Sequence, residues 1–337
     1  MVAIRRTMYL LSFVLSVTTS VMAADVLKGR IAGSVPKGSV WEENWQERLA
    51  ILRRSPVLDF EYYIYGELGN EEEVTASLRR DRVQISSSSL WGLSSIIPAV
   101  AVLSLPYLFE SSQEADFVYD CCASDIITPY LEEIGLTFMG WSEAGWTSFY
   151  GRRPLLDPDE VRGRRFRTPR TPSVALFFSA LGVDNVYLGI NDVVSALQTG
   201  LVEGGASSLP WYYNAFRSMA PHYTLTRHHY ESTAIMSSKR WLESANSAQV
   251  AVLNRAFSVF ATQRLEVRED AARKIALMKA DGDFVYELNA KQRARWIAVA
   301  QAAHPGILAS IGDSAGPIYQ EILIAKSEFR QRFTPPQ

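Results

Sequence analysis

VRGRRFRTPRTPSVALFFSALGVDNVYLGINDVVSALQTGLVEGG, residues 161–205, reads as a repeating unit of strand and helix. RRFRT is a short strand that stops before Pro169, and SVALFFSALG (173–182) is an apolar helix ended by Gly182. DNVYLG is the next strand. In NDVVSALQTG, Ile190, Val193, Val194 and Leu197 fall at the spacing of one helix face, and Gly200 supplies the stop. LVEGGASS closes the unit as a third strand, its glycine pair marking a turn or cradling an anion. Strand and helix alternating through links this short argue a parallel sheet with helices on its faces.

The same rhythm occurs upstream. LKGRIAGSV (27–35) is a strand, and GSVWEENWQERLAILRR (38–54) is a helix with Trp41, Trp45, Leu49 and Leu52 on one face. LDFEYYIYG is a second strand. EEEVTASLRRDR (71–82) is a helix capped by Asn70, with three acids at its positive end. VQISSSS is a third strand that runs into a serine-rich turn. IIPAVAVLSLPYLF (96–109), broken by two prolines, is a buried crossing segment, and a helix runs through 113–133. GLTFMGWSEAGWTSFYG (135–151) reads as strand, turn and strand, and HYTLTRHHYESTAIMSS (222–238) as a strand pair. A helix from about Ser247 to Ala280 is long enough to brace two domains.

Composition narrows the function. The chain has 337 residues, 47% hydrophobic and 21% charged, with a formal net charge of −2, so it has no field with which to gather nucleic acid. Its first residues carry Arg5 and Arg6, an apolar run interrupted by Thr18, Thr19 and Ser20, and then Val21-Met22-Ala23. That is the pattern of a cleaved secretory signal (1–23), too short for a bilayer span and without a cysteine for lipid attachment. The two cysteines, Cys121 and Cys122, are adjacent; neighbours in a chain rarely pair, so they read as helix-packing residues.

Catalytic patterns are absent from the sequence. The four histidines lack metal-protease spacing, and there is no nucleophile elbow, P-loop or dinucleotide fingerprint. No enzyme, cofactor or metal is expected. Four arginines crowd into 161–169, and strand alternation sets Arg165 and Arg167 on one face. Arg162, Arg164 and Arg165 read as solvated, paired with acids such as Asp157, Asp159 or Glu160. Arg167, last before the proline, sits where open α/β sheets bind ligands, beyond the carboxyl ends of strands.

These segments resemble the solute-binding proteins of TRAP transporters, the family typified by C4-dicarboxylate binders. LGNEEEVTASLRRDRVQIS and AVLSLPYLFESSQEA are similar to family segments, and VRGRRFRTP with LGVDNVYLGINDVVSALQTGLVEGG resembles its L-K-G-L-K-I-R-V and A-L-Q-x-G-x-V-D-G patterns. The resemblance implies a two-domain, periplasmic-binding-protein-like α/β fold with a hinged cleft and a long helix bridging both domains. It implies domain I over 25–144 and 233–272, domain II over 145–232 and 273–325, and a tail over 326–337.

It also implies that Arg167 is the ligand-binding arginine, in a cleft that Ser88, Ser89, Trp146, Thr147, Ile190, Ser207 and Trp211 help to line. Departures accompany it. The family's second arginine segment, G-F-R, here reads Gly145-Trp146-Thr147, its asparagine falls on Ser207 and its aromatic on Ile190. These changes point to a monocarboxylate with an apolar or aromatic body over a small dicarboxylate. The implied protein is a periplasmic monomer that passes an organic acid to TRAP membrane subunits. A ligand sensor that docks on a receptor is the alternative, and a periplasmic hydrolase a weaker one.

Overall fold

The computed structural model describes residues 26–258 and 260–333, so the signal expected at 1–23 lies outside the described residues. The chain runs β1 (Leu27–Ala32), α1 (Val40–Arg53), β2 (Leu58–Tyr63), α2 (Glu71–Arg79), β3 (Ile85–Ser89), α3 (Leu90–Ser94), α4 (Ser112–Val118), α5 (Ser124–Glu133) and β4 (Leu136–Gly151). The second half adds β5 (Arg165–Thr168), α6 (Pro172–Ala180), β6 (Asp184–Tyr187), α7 (Val193–Thr199), β7 (Gly204–Ser208), α8 (Leu209–Trp211) and β8 (His222–Ser238). It ends with α9 (Lys239–Glu243), α10 (Ser247–Phe257), α11 (Phe260–Ala280), β9 (Phe284–Tyr286), α12 (Ala290–Ile311) and α13 (Ala315–Phe333). α13 continues past residue 326, where the sequence suggests a tail, because Lys326 is buried against Glu114 and the Leu108 carbonyl.

Strand order is β2-β1-β3-β8-β4-β7-β5-β6, with β9 beside β8. The two outer groups, β1–β3 and β5–β7, are parallel among themselves and correspond to the two repeating units of the sequence. Between them β4 and β8, 16 and 17 residues long, run antiparallel and pass through both lobes. These are the segments whose sequences suggest a turn or a strand pair, and both are single strands. Each is paired along both edges, so the irregular points are absorbed as bulges at Phe138/Gly140, Glu143/Gly145 and Thr147/Phe149. Gly145 takes φ +82° at one of them, a conformation glycine adopts without steric cost.

Helical expectations also shift locally. The expected helix over 247–280 is two, α10 ending at Phe257 and α11 beginning at Phe260. α10 turns Leu253, Ala256 and Phe257 into the core of the first lobe, where Phe257 meets Trp45 edge-on. α11 alone crosses, reaching the second lobe's core at Met278. The expected helix over 113–133 is interrupted by a π turn at Tyr119–Ala123. In that turn Cys121 and Cys122 form a disulfide, S–S 2.10 Å, on an ordinary 3.8 Å Cα spacing. Cys121 is exposed, while Cys122 is half-buried and packs against the core as the sequence suggests.

Candidate functional site

A cleft of about 970 Å³, including the solvent at its mouth, opens where α1, α2 and β3 of one lobe face β5, β7 and α8 of the other. Arg167 reaches it from the carboxyl end of β5 and is only 6% exposed. Its Nε donates to the Leu188 carbonyl at 3.0 Å, which fixes the plane of the guanidinium. Burial lowers its pKa, and Tyr150, Glu71, Glu72 and Asp192 act in the opposite direction. Among the described residues no carboxylate forms an ion pair with it. The other three arginines of the motif are taken up at the surface: Arg162 by Asp159 at 3.5 Å, Arg164 by Glu203 at 3.4 Å and Arg165 by the Gly200 carbonyl at 3.0 Å.

The structure brings Ser89, Thr147, Ile190, Ser207 and Trp211 to the cleft with Arg167. Two expected residues are elsewhere. Trp146 follows strand alternation to the opposite face from Thr147, where its Nε1 donates to Ser112 Oγ at 3.0 Å and its ring meets Tyr230 at 5.1 Å. Ser88 is turned away between two residues, Ser87 and Ser89, that do line the cleft. The glycine pair of VEGG is also not an anion cradle. It lies inside β7, where a Cβ on Gly204 would sit 2.2 Å from the Tyr150 carbonyl oxygen.

Apart from Ser89, sequence reasoning missed the first lobe's contribution. Trp41, Trp45 and Arg48 reach the cleft from α1, and Trp91 from α3. Arg48 is 1% exposed, its guanidinium lies 5.6 Å from the Trp45 ring centre, and burial lowers its pKa to about 10. Two carboxylates were equally hidden. Glu71, at the start of α2, accepts from Ser89 N at 2.9 Å and Ser89 Oγ at 2.6 Å. Glu231, in the middle of β8, is 4% exposed. The helical spacing of Trp41, Trp45 and Arg48 was a usable signal, but helix faces pointing to a core and to a cleft look alike in sequence.

Basicity is absent from the buried histidines. His228 and His229 sit in the core, with the His229 ring edge-on to Trp91 at 5.4 Å, and burial pulls His229 down to about 3. Among the described residues no group of three or more His, Cys, Asp or Glu side chains is placed to hold a metal ion. The cleft therefore offers fixed charges, hydroxyls and indoles, a set suited to holding a small polar molecule.

Residues 41–310 match the family model described as bacterial extracellular solute-binding protein, family 7. A solute-binding protein of Verminephrobacter eiseniae is 25% identical over 218 residues, 64% of this chain and 65% of that one, so the match spans just under two thirds of that relative. The C4-dicarboxylate-binding periplasmic protein DctP of Rhodobacter capsulatus is 24% identical over 286 residues, covering 84% and 85% of the two chains. The sugar acid binding protein of Advenella mimigardefordensis, solved with galactonate, shares the fold at a TM-score of 0.84 and 20% identity, over 89% of this chain and 99% of that one. With two lobes, two shared long strands and a cleft between them, the chain belongs to the bacterial extracellular solute-binding proteins of family 7, the solute-binding proteins of TRAP transporters.

Proposed function

We propose that this protein captures an organic acid by its carboxylate outside the cytoplasm and delivers it to TRAP membrane subunits, without catalysis. The observation that carries the reading is Arg167, a buried guanidinium held flat by Leu188 at the floor of a cleft shared by two lobes. A planar fork matches a carboxylate bidentately, and for a guanidinium this buried the charge-assisted bonds are strong. Ser207 and Thr147 offer hydroxyls beside it, and Ile190 and Trp211 offer apolar cover. That lining favours a single carboxylate on an apolar or aromatic body. The protein acts as a monomer whose lobes, 25–144 with 233–272 and 145–232 with 273–325, close on the solute, and residues 1–23 are removed on export.

Titration calorimetry of organic acids against the wild type and Arg167→Lys tests this. Binding that falls at least tenfold in the variant supports it, since Lys keeps the charge and loses the fork. Unchanged affinity would overturn it.

A further inference from the structure

Carboxylate capture at Arg167 leaves the wall built by β8 unexplained. Glu231 lines the cleft there, nine-tenths buried. Its Oε1 accepts the backbone N–H of Trp91 at 3.2 Å, and the Leu90 N–H also points to the carboxyl, which pins it against the start of α3, while among the described residues Oε2 has no hydrogen-bond partner of its own. A buried carboxylate oxygen left unmatched is costly, so the site is incomplete as it stands. Burial holds the Glu231 carboxyl well above the ordinary carboxylate range, and the neighbouring charge of Glu71 adds to that.

The groups around it indicate what completes it. Glu71 is fixed by Ser89 and adds a second carboxyl group to the same lining. Arg48, on the α1 side of the same lining, holds its guanidinium 5.6 Å from the Trp45 ring centre, and the charges of Glu47 and Glu266 act on it. Trp41, Trp45, Trp91 and Trp211 surround the space, and indoles attract cations better than other aromatic rings do. A dicarboxylate would bring its second charge toward two acids; an ammonium or guanidinium would satisfy Glu231 and the indoles together.

We infer that the cleft has an acidic second pole at Glu231, supported by Glu71, and that the solute is a carboxylic acid bearing a cationic nitrogen. This rests on the reading of Arg167 as the carboxylate clamp.

The test presents each of three bodies in bare, dicarboxylic and cation-bearing form: butanoate, succinate and gamma-aminobutanoate; cyclohexanecarboxylate, its para-dicarboxylate and tranexamate; benzoate, terephthalate and para-(aminomethyl)benzoate. Thermal shift ranks them and calorimetry measures the best binder of each form on wild type, Glu231→Gln and Arg167→Lys, after circular dichroism confirms the fold. The cation-bearing form should bind about tenfold or more tightly than its partners, and Glu231→Gln should remove that preference while changing the bare acid little. A preference for a dicarboxylic or bare form that still needs Arg167 overturns this inference and leaves the carboxylate clamp standing. The same holds if Glu231→Gln leaves the cation-bearing form's Kd unchanged. Failure of all nine compounds, or indifference to Arg167→Lys, overturns the clamp and the acidic pole with it.

Discussion

Arg268 of α11 clasps Asp116 of α4 at two points, Nη1 to Oδ2 at 2.8 Å and Nη2 to Oδ1 at 2.6 Å. The same guanidinium reaches Glu143 at 3.0 and 2.7 Å and Tyr230 Oη at 2.6 Å, so the crossing helix is tied to both long strands. Burial pushes the Glu143 carboxyl up, and its bonds to Arg268 pull it back. Arg268→Ala would leave Glu143 buried and unanswered. We expect a loss of about 2–4 kcal/mol in urea unfolding, against under about 1 kcal/mol for the exposed Arg332→Ala. Equal losses at the two positions would show that the clasp is not a structural tie.

Arg167→Ala should weaken binding more than Arg167→Lys, by about 2–5 kcal/mol for a buried charge that loses its partner. Arg165→Ala is the matched control, since that side chain is exposed and bonded to Gly200. Calorimetry on the three decides between a clamp and a diffuse basic face, which would give equal losses at 165 and 167.

Tryptophan emission should change on solute binding through Trp211, which lines the cleft. Trp146→Phe should leave affinity within about twofold of wild type, because that ring packs behind the sheet on Tyr230. A large loss of affinity in Trp146→Phe would mean that the back of β4 communicates with the cleft.

Stability should fall as pH drops below the mid-sixes, and His229 is one source. Its pKa is about 3 in the folded protein against the ordinary imidazole value of 6.5, with burial the main cause. Between those values the unfolded chain binds the proton and the folded chain does not, so the contribution is complete above 6.5 and lost on acidification. From pH 6.5 to 5 that is about 2 kcal/mol at about 1.4 kcal/mol per pH unit. Urea unfolding of His229→Gln across that range should show a correspondingly flatter profile; an identical slope would exclude His229 as the source.

Closure of the lobes should pivot where β4 bulges, at Gly145, which faces Glu231 across the ladder and holds φ +82°. Small-angle scattering should show a smaller radius of gyration with saturating solute. Gly145→Val, forced into a backbone conformation that L side chains rarely adopt, should diminish that change and cost roughly 1–3 kcal/mol in stability.

The periodicities of 161–205 and of 27–89 determined two parallel strand–helix units, because alternation and helix spacing are local properties that survive in a linear text. The position of Arg167 at a strand's carboxyl end was legible for the same reason. Continuity of β4 and β8 was not: glycines at 140 and 145 look like turns until strands on both sides supply the hydrogen bonds that hold them extended. Trp146 was misplaced by a one-residue ambiguity of face, and Ser88 likewise, since a strand inverts every side chain at each step. Glu231 carries no local signal at all, being one acid in a strand of mixed residues. Only folding brings it beside Trp91, 140 positions away in the chain, and Glu71, and only the low polarity of that enclosure makes its free oxygen consequential.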